Sequence, residues 1–87
     1  MKIYKFPVPL EDIFTIDMPI DSKILSFQEQ KGNLVLWTAF WPNSSREQRK
    51  FTLVGTGHDI DMDLVKQYIG TAQLFKGDYI WHLFELT

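Results

Sequence analysis

Residues 23–41, KILSFQEQKGNLVLWTAFW, contain two strand-like runs on either side of a short turn. Lys23–Gln30 and Leu34–Trp41 form the runs, and Lys31-Gly32-Asn33 separates them. Glycine beside asparagine is typical of a hairpin turn that needs positive φ. The second run is apolar on both faces. This pattern indicates either a strand buried on both sides or one with a face in a protomer interface.

The rest of the chain follows the same pattern of short strands and turn residues. Further strands are predicted at Ile3–Phe6, Ile13–Met18, Lys50–Val54, Tyr68–Phe75 and Tyr79–Leu86. Lys76-Gly77-Asp78 is the turn of a second hairpin, and a short helical turn with Asp61 as its N-cap fits residues 61–67. In the Ile13–Met18 strand, the alternate residues Phe14, Ile16 and Met18 are expected to face the core. The prediction is a mainly β protein, a compact antiparallel sandwich or partly open barrel of six or seven short strands.

Length and composition limit the possible classes of protein. Eighty-seven residues are enough for one domain, residues 1–87, and no linker or repeat interrupts them. The chain has no cysteine, which excludes disulfides, thiolate nucleophiles and cysteine zinc sites and fits a reducing cytoplasm. No segment approaches the ~20 apolar residues of a membrane span. A net charge of −2 does not favour nucleic acid as a partner.

The candidate ligand site is the turn Gly55-Thr56-Gly57-His58. Two glycines one residue apart expose backbone N–H groups that can bind an anion, and Thr56 and His58 add polar side chains. Arg49 would neutralise the anion if its basic segment, residues 46–50, folds back onto the turn. The alternatives are that the glycines only end a strand and that residues 46–50 form a solvated loop.

No catalytic residue, metal site or cofactor is assigned. Asp59, Asp61 and Asp63 alternate as in a calcium loop, but the glycine and glutamate that such a loop needs are absent. No serine lies in a Gly-x-Ser-x-Gly elbow. His82 lies in an apolar strand, so we expect it to be hydrogen-bonded and partly buried. An enzyme is therefore a minority interpretation.

Aromatic residues are the other unusual feature, with seven Phe, three Tyr and three Trp. Those that one small core cannot enclose would form an interaction patch, and Trp37, Trp41 and Trp81 are the candidates. Such a patch would suit a homo-oligomer. The alternative is that these rings fill the core.

Six segments spread along the chain carry a resemblance to a known family. They are MKIYKF (1–6), KILS (23–26), LW (36–37), GTGH (55–58), YIGT with QL (68–71 and 73–74) and WHLFE (81–85). In this order and spacing they resemble a family of small phage and prophage proteins of unknown function. Asn43-Ser44-Ser45 departs from the more acidic, proline-containing loop of that family, so no shared site is expected there.

The resemblance implies a phage-encoded accessory protein in the bacterial host cytoplasm, and it carries over no catalytic residue. We expect a binding module that inhibits or sequesters a host component, either a defence protein or a small anionic nucleotide signal. A structural or assembly protein of the phage particle is the first alternative. A small nucleotide-acting enzyme is the second.

Overall fold

Seven antiparallel strands form two sheets in the computed structural model, which describes residues 1–87. The strands are β1 (Lys2–Pro7), β2 (Ile13–Pro19), β3 (Lys23–Gln30), β4 (Asn33–Phe40), β5 (Arg46–Gly55), β6 (Val65–Leu74) and β7 (Tyr79–Leu86). One sheet has the order β1-β4-β3 and the other β2-β5-β7-β6. Two 3₁₀ turns, Met62–Leu64 and Phe75–Gly77, complete the fold. The predicted mainly β class is confirmed.

Both hairpins turn at the predicted glycines. In the β3–β4 hairpin, Lys31 and Gly32 have φ of 50° and 83°, and Gln30 pairs with Asn33. The loop therefore has two residues, and Asn33 already belongs to β4. In the β6–β7 hairpin, Phe75, Lys76 and Gly77 all have positive φ. Such left-handed backbone costs glycine little, which is why each turn includes one.

The core lies between the two sheets. Phe14, Ile16 and Met18 face inward from β2, as predicted, and Phe51 stacks on Phe14 with ring centroids 5.7 Å apart. The two sheets meet along one side, where β3 lies against β6. Gly70 of β6 permits this approach, because a Cβ there would stand 3.3 Å from Cβ of Phe27.

Most strand bounds differ from the prediction by one to three residues, and three differences affect candidate residues or motifs. Residues 46–50, predicted as a solvated loop, form the first half of β5 and pair with β2. Exposed and partly buried side chains alternate in this segment, as in a strand with one face toward the core. Arg49 points inward to an ion pair, while its neighbours Gln48 and Lys50 are exposed. The helical turn is limited to Met62–Leu64, since β6 begins at Val65, but Asp61 caps it as predicted by accepting from the Asp63 N–H. Trp41 lies just outside β4.

The connection from β5 to β6 positions the glycine turn. Both strands are antiparallel to β7, so they run in the same direction. Gly55 faces Trp81 at what we call the upper end of the β5–β7 ladder, whereas Phe51 faces Glu85 at the lower end. The chain leaves β5 at the upper end and enters β6 beside Leu86 at the lower end, so residues 56–64 span the length of the sheet.

The two helical turns of the fold have three residues each, and neither could span a membrane.

Candidate functional site

A pocket of about 390 Å³ opens at the upper end of the ladder. The turn after β5 and the loop before β7 line it with Gly55, Thr56, His58, Gly77, Asp78, Tyr79, Ile80 and Trp81. We call it the Trp81 pocket. It contains three of the four residues of the predicted glycine turn together with one of the three candidate tryptophans. Its volume lies within the range of small-ligand sites.

Gly55 lies between the His58 and Trp81 rings in the pocket wall. A Cβ at Gly55 would stand 3.4 Å from both Cε1 and Nδ1 of His58 and 3.5 Å from Cζ3 of Trp81. Contacts at this distance are ordinary van der Waals contacts, so the imidazole and the indole enclose the space that a side chain would fill. The absence of a side chain at Gly55 therefore shapes the pocket wall.

Two of the four backbone donors of the turn are used within the fold. The Thr56 N–H donates to the Ile80 carbonyl at 3.2 Å, and the His58 N–H donates to the Gly55 carbonyl at 3.0 Å. Gly57 has φ of 90°, and its N–H has no acceptor in the chain. The anion cradle expected from the sequence thus retains the Gly57 N–H as a free donor, and Asp78 adds a carboxylate to the pocket lining.

A row of hydrogen-bonded side chains crosses the outer face beside the pocket. Thr56 Oγ1 lies 2.7 Å from His82 Nε2, and Thr71 Oγ1 lies 2.9 Å from His82 Nδ1. The Tyr68 hydroxyl continues the row at 2.6 Å from Thr71 Oγ1. We call these four residues the hydroxyl row. A neutral imidazole has one donor and one acceptor, so Thr56 and Thr71 take opposite roles in it.

His82 was expected to be hydrogen-bonded, but its partners could not be named from the sequence. Thr71 lies directly opposite His82 in the β6–β7 register, and Thr56 follows the end of β5. A hydroxyl bonded to an imidazole, as in Thr56 and His82, is one element of a nucleophilic site. Acyl or phosphoryl transfer would also need donors arranged around a developing negative charge, and Gly57 offers a single N–H.

Trp81 has a polar atom without a partner. Its ring packs against the core, and Nε1 is buried and bonded to no acceptor in the chain. A buried donor without an acceptor is uncommon and costs about 1–3 kcal/mol. Trp81 therefore contributes an apolar ring to the pocket lining, while its indole N–H stays enclosed within the protein.

Arg49 does not lie at the turn. It is six residues before Gly55 on β5, which separates the two by roughly 20 Å. Its guanidinium donates from Nε and Nη2 to the two oxygens of Glu85, each at 2.7 Å, and from Nη1 to the Ser22 carbonyl at 2.7 Å. These bonds to Glu85 raise the pKa of the Arg49 guanidinium above its ordinary value. The anion-neutralising role given to Arg49 requires a position that the fold does not provide.

The three candidate interface tryptophans occupy different places. Trp37 and Trp41 follow the same alternation in and after β4, on the opposite face from the buried Leu36. Trp37 is half-buried, with Nζ of Lys5 6.0 Å from its ring centroid, and Trp41 is 57% exposed. Trp81 instead packs against the core at the pocket. Two of the three are thus placed on an outer surface.

Comparison with curated proteins and with solved structures finds no match for this chain. A family model matches over the whole length, residues 1–87. The chain therefore belongs to the family described as a domain of unknown function, DUF7352.

Proposed function

We propose that this protein is a non-enzymatic binding module that holds one apolar or aromatic group of its partner in the Trp81 pocket. One observation carries the proposal. The glycine turn and Trp81, both singled out from the sequence, line the same cavity although they lie on different strands. A cavity of about 390 Å³ has room for one large side chain or one nucleobase.

The charges around the pocket favour a protein partner over a nucleotide signal. The lining includes Asp78 but no lysine or arginine, and Arg49 is held by Glu85 at the other end of the ladder. A phosphate would therefore meet a carboxylate and find no cation to pair with. An aromatic side chain needs neither, and its polar edge can bond to His58 or Asp78.

The biological setting belongs to the same proposal. The resemblance to phage and prophage proteins supports a phage-encoded accessory protein that acts in the bacterial host cytoplasm. Its partner there is a host protein, for example a defence protein, which it inhibits or sequesters. A small domain with an aromatic pocket and no assigned catalytic group suits such a role.

Nuclear magnetic resonance of the three tryptophan indole N–H groups tests the pocket. Trp81→Phe identifies the Trp81 signal by its disappearance. Titration with N-acetyl-tryptophanamide should then shift the Trp81 signal and leave those of Trp37 and Trp41 in place. AMP, the nucleotide probe, should cause a much smaller shift.

The matched variant for this titration is Thr56→Ala with His58→Ala, which alters the pocket wall and retains Trp81. It should weaken binding of N-acetyl-tryptophanamide about tenfold, the effect of losing roughly 1.4 kcal/mol. Circular dichroism checks that the variant is folded. A Trp81 signal that neither probe shifts would contradict the proposal. A larger shift with AMP would indicate that the pocket binds a nucleotide and not a protein side chain.

A further inference from the structure

The two sheets differ in how their free edges are protected. β1 and β2 are the outermost strands on one side of each sheet, whereas β3 and β6, on the other side, lie against each other. An unprotected edge strand offers a row of main-chain donors and acceptors to another strand. β1 and β2 are therefore the places where a strand can be added.

The β2 edge is blocked. The Leu53 N–H donates to the Asp12 carbonyl. The main-chain N–H and C=O groups of the even-numbered residues of β2 therefore point to β5, and those of the odd-numbered residues point outward. At Asp17, whose main-chain groups point outward, the carbonyl already has a donor. Arg46 donates from Nη2 to this carbonyl at 2.8 Å and from Nε to the Asp17 carboxylate at 3.2 Å. This ion pair covers the edge with charge, a common protection against strand addition.

The β1 edge is open. The Val8 N–H donates to the Leu34 carbonyl, so the main-chain groups of the even-numbered residues of β1 point to β4. The main-chain groups of Ile3 and Lys5 point outward. Lysine often protects an edge, but the Lys5 side chain donates to Gln30 and lies near the Trp37 ring of its own sheet. Ile3 and Tyr4 are each 59% exposed. The edge thus combines free backbone groups with apolar side chains.

We propose that β1 pairs with β1 of a second copy, antiparallel, about a two-fold axis that passes beside Tyr4. In this register Ile3 lies opposite Lys5 of the other copy, and both exchange main-chain hydrogen bonds. Lys2 lies opposite Phe6, so no lysine faces a lysine. Tyr4 faces its own counterpart. Each Tyr4 ring already lies 5.7 Å from Phe40, so pairing would join four rings into one cluster.

The charge of β1 argues for this register. The strand contains two lysines and no carboxylate, so self-pairing is favourable only where the lysines are offset. A register centred on Lys5 would place the two Lys5 residues opposite each other and would set Ile3 against Pro7, which has no N–H. The register centred on Tyr4 avoids both problems. The proposed dimer joins the two three-stranded sheets into one sheet of six strands.

Proline substitutions at matched positions test the proposal. Ile3 and Thr15 both have an N–H that points away from the neighbouring strand, so proline at either removes an edge donor without breaking the sheet ladder. Light scattering of the unaltered chain should give twice the 10.3 kDa monomer mass. Ile3→Pro should give the monomer mass, and Thr15→Pro should leave the dimer intact.

Two further variants keep the test decisive. If Ile3→Pro fails to fold, Ile3→Lys adds charge to the same edge and should also give monomers. The chain has no cysteine, so Tyr4→Cys introduces a single thiol at the two-fold axis. Mild oxidation should link Tyr4→Cys into a covalent dimer rapidly and Thr15→Cys slowly, because only the first pair would lie within disulfide distance.

Three results would overturn the proposal. An unaltered chain that stays monomeric at millimolar concentration excludes the dimer. A folded Ile3 variant that remains dimeric excludes the β1 edge. A dimer that dissociates with Trp41→Lys, but not with either Ile3 variant, moves the interface to the outer face of the small sheet.

Discussion

Two polar networks lie at opposite ends of the β5–β7 ladder. At the lower end, Arg49 and Glu85 form a two-bond ion pair whose side chains are 16% and 4% exposed, and Ser22 accepts a third bond. At the upper end, the hydroxyl row joins three hydroxyl groups and one imidazole along an accessible face that borders the Trp81 pocket. Both networks connect β5 to β7, yet the paired side chains of the first are largely buried and most of those in the second are exposed.

The difference separates a structural role from a binding role. A buried charge depends entirely on its partner, because water cannot replace that partner. A hydroxyl at the surface exchanges its partner for water at little cost. The lower network therefore fixes how the sheets close, whereas the upper network can rearrange when a partner enters the pocket.

The strongest test of this contrast is Glu85→Gln. It removes the carboxylate that pairs with the largely buried Arg49 guanidinium and leaves only the more distant charge of Glu47, and we expect a loss of about 3 kcal/mol of unfolding free energy. Urea denaturation measures the change. Arg46→Met, which breaks the exposed ion pair with Asp17, is the control and should cost no more than about 1 kcal/mol. Equal losses in the two variants would show that burial does not distinguish the pairs.

Gly77→Val examines the loop that bounds the Trp81 pocket. Gly77 has φ of 93°, and a Cβ would stand 3.1 Å from Oε1 of Gln73. Left-handed backbone costs other residues about 1–2 kcal/mol, and we expect a loss of at least that size. Gly32→Val is the matched variant, because Gly32 has a similar φ and no atom near its Cβ position. Urea midpoints should fall in both, and further in Gly77→Val.

The sequence was informative wherever the signal was local. Gly32 and Gly77 mark turns because few other residues tolerate positive φ, and the alternation of Phe14, Ile16 and Met18 marks a buried face. The same reasoning found the glycine turn and Trp81. It could not tell whether Trp37 or Trp81 lies beside that turn, because this depends on which strands are neighbours.

The lower network shows what local patterns omit. Arg49 and Glu85 are 36 residues apart and meet because β7 lies next to β5, an order that no local pattern specifies. Without that order, the sequence leaves two alternatives for Arg49, a place near the glycine turn or a solvated loop, and its position in β5 is neither. One signal was present. Glu85 is the only carboxylate in a mostly apolar strand, and such a group requires a partner where it is buried.

His82→Ala is the corresponding substitution in the upper network. It removes the acceptor or donor of both Thr56 and Thr71, but both hydroxyls are exposed and can bond to water instead. The loss of unfolding free energy should therefore be about 1 kcal/mol or less, well below that of Glu85→Gln, although His82→Ala removes both side-chain hydrogen bonds and glutamine at position 85 retains one acceptor oxygen. The Trp81 indole N–H signal provides a second measurement, and it should shift because Thr56 is free to turn within the pocket wall. A stability loss as large as that of Glu85→Gln would show that the hydroxyl row is a structural element, and it would contradict the inference that this row can rearrange when a partner enters the pocket.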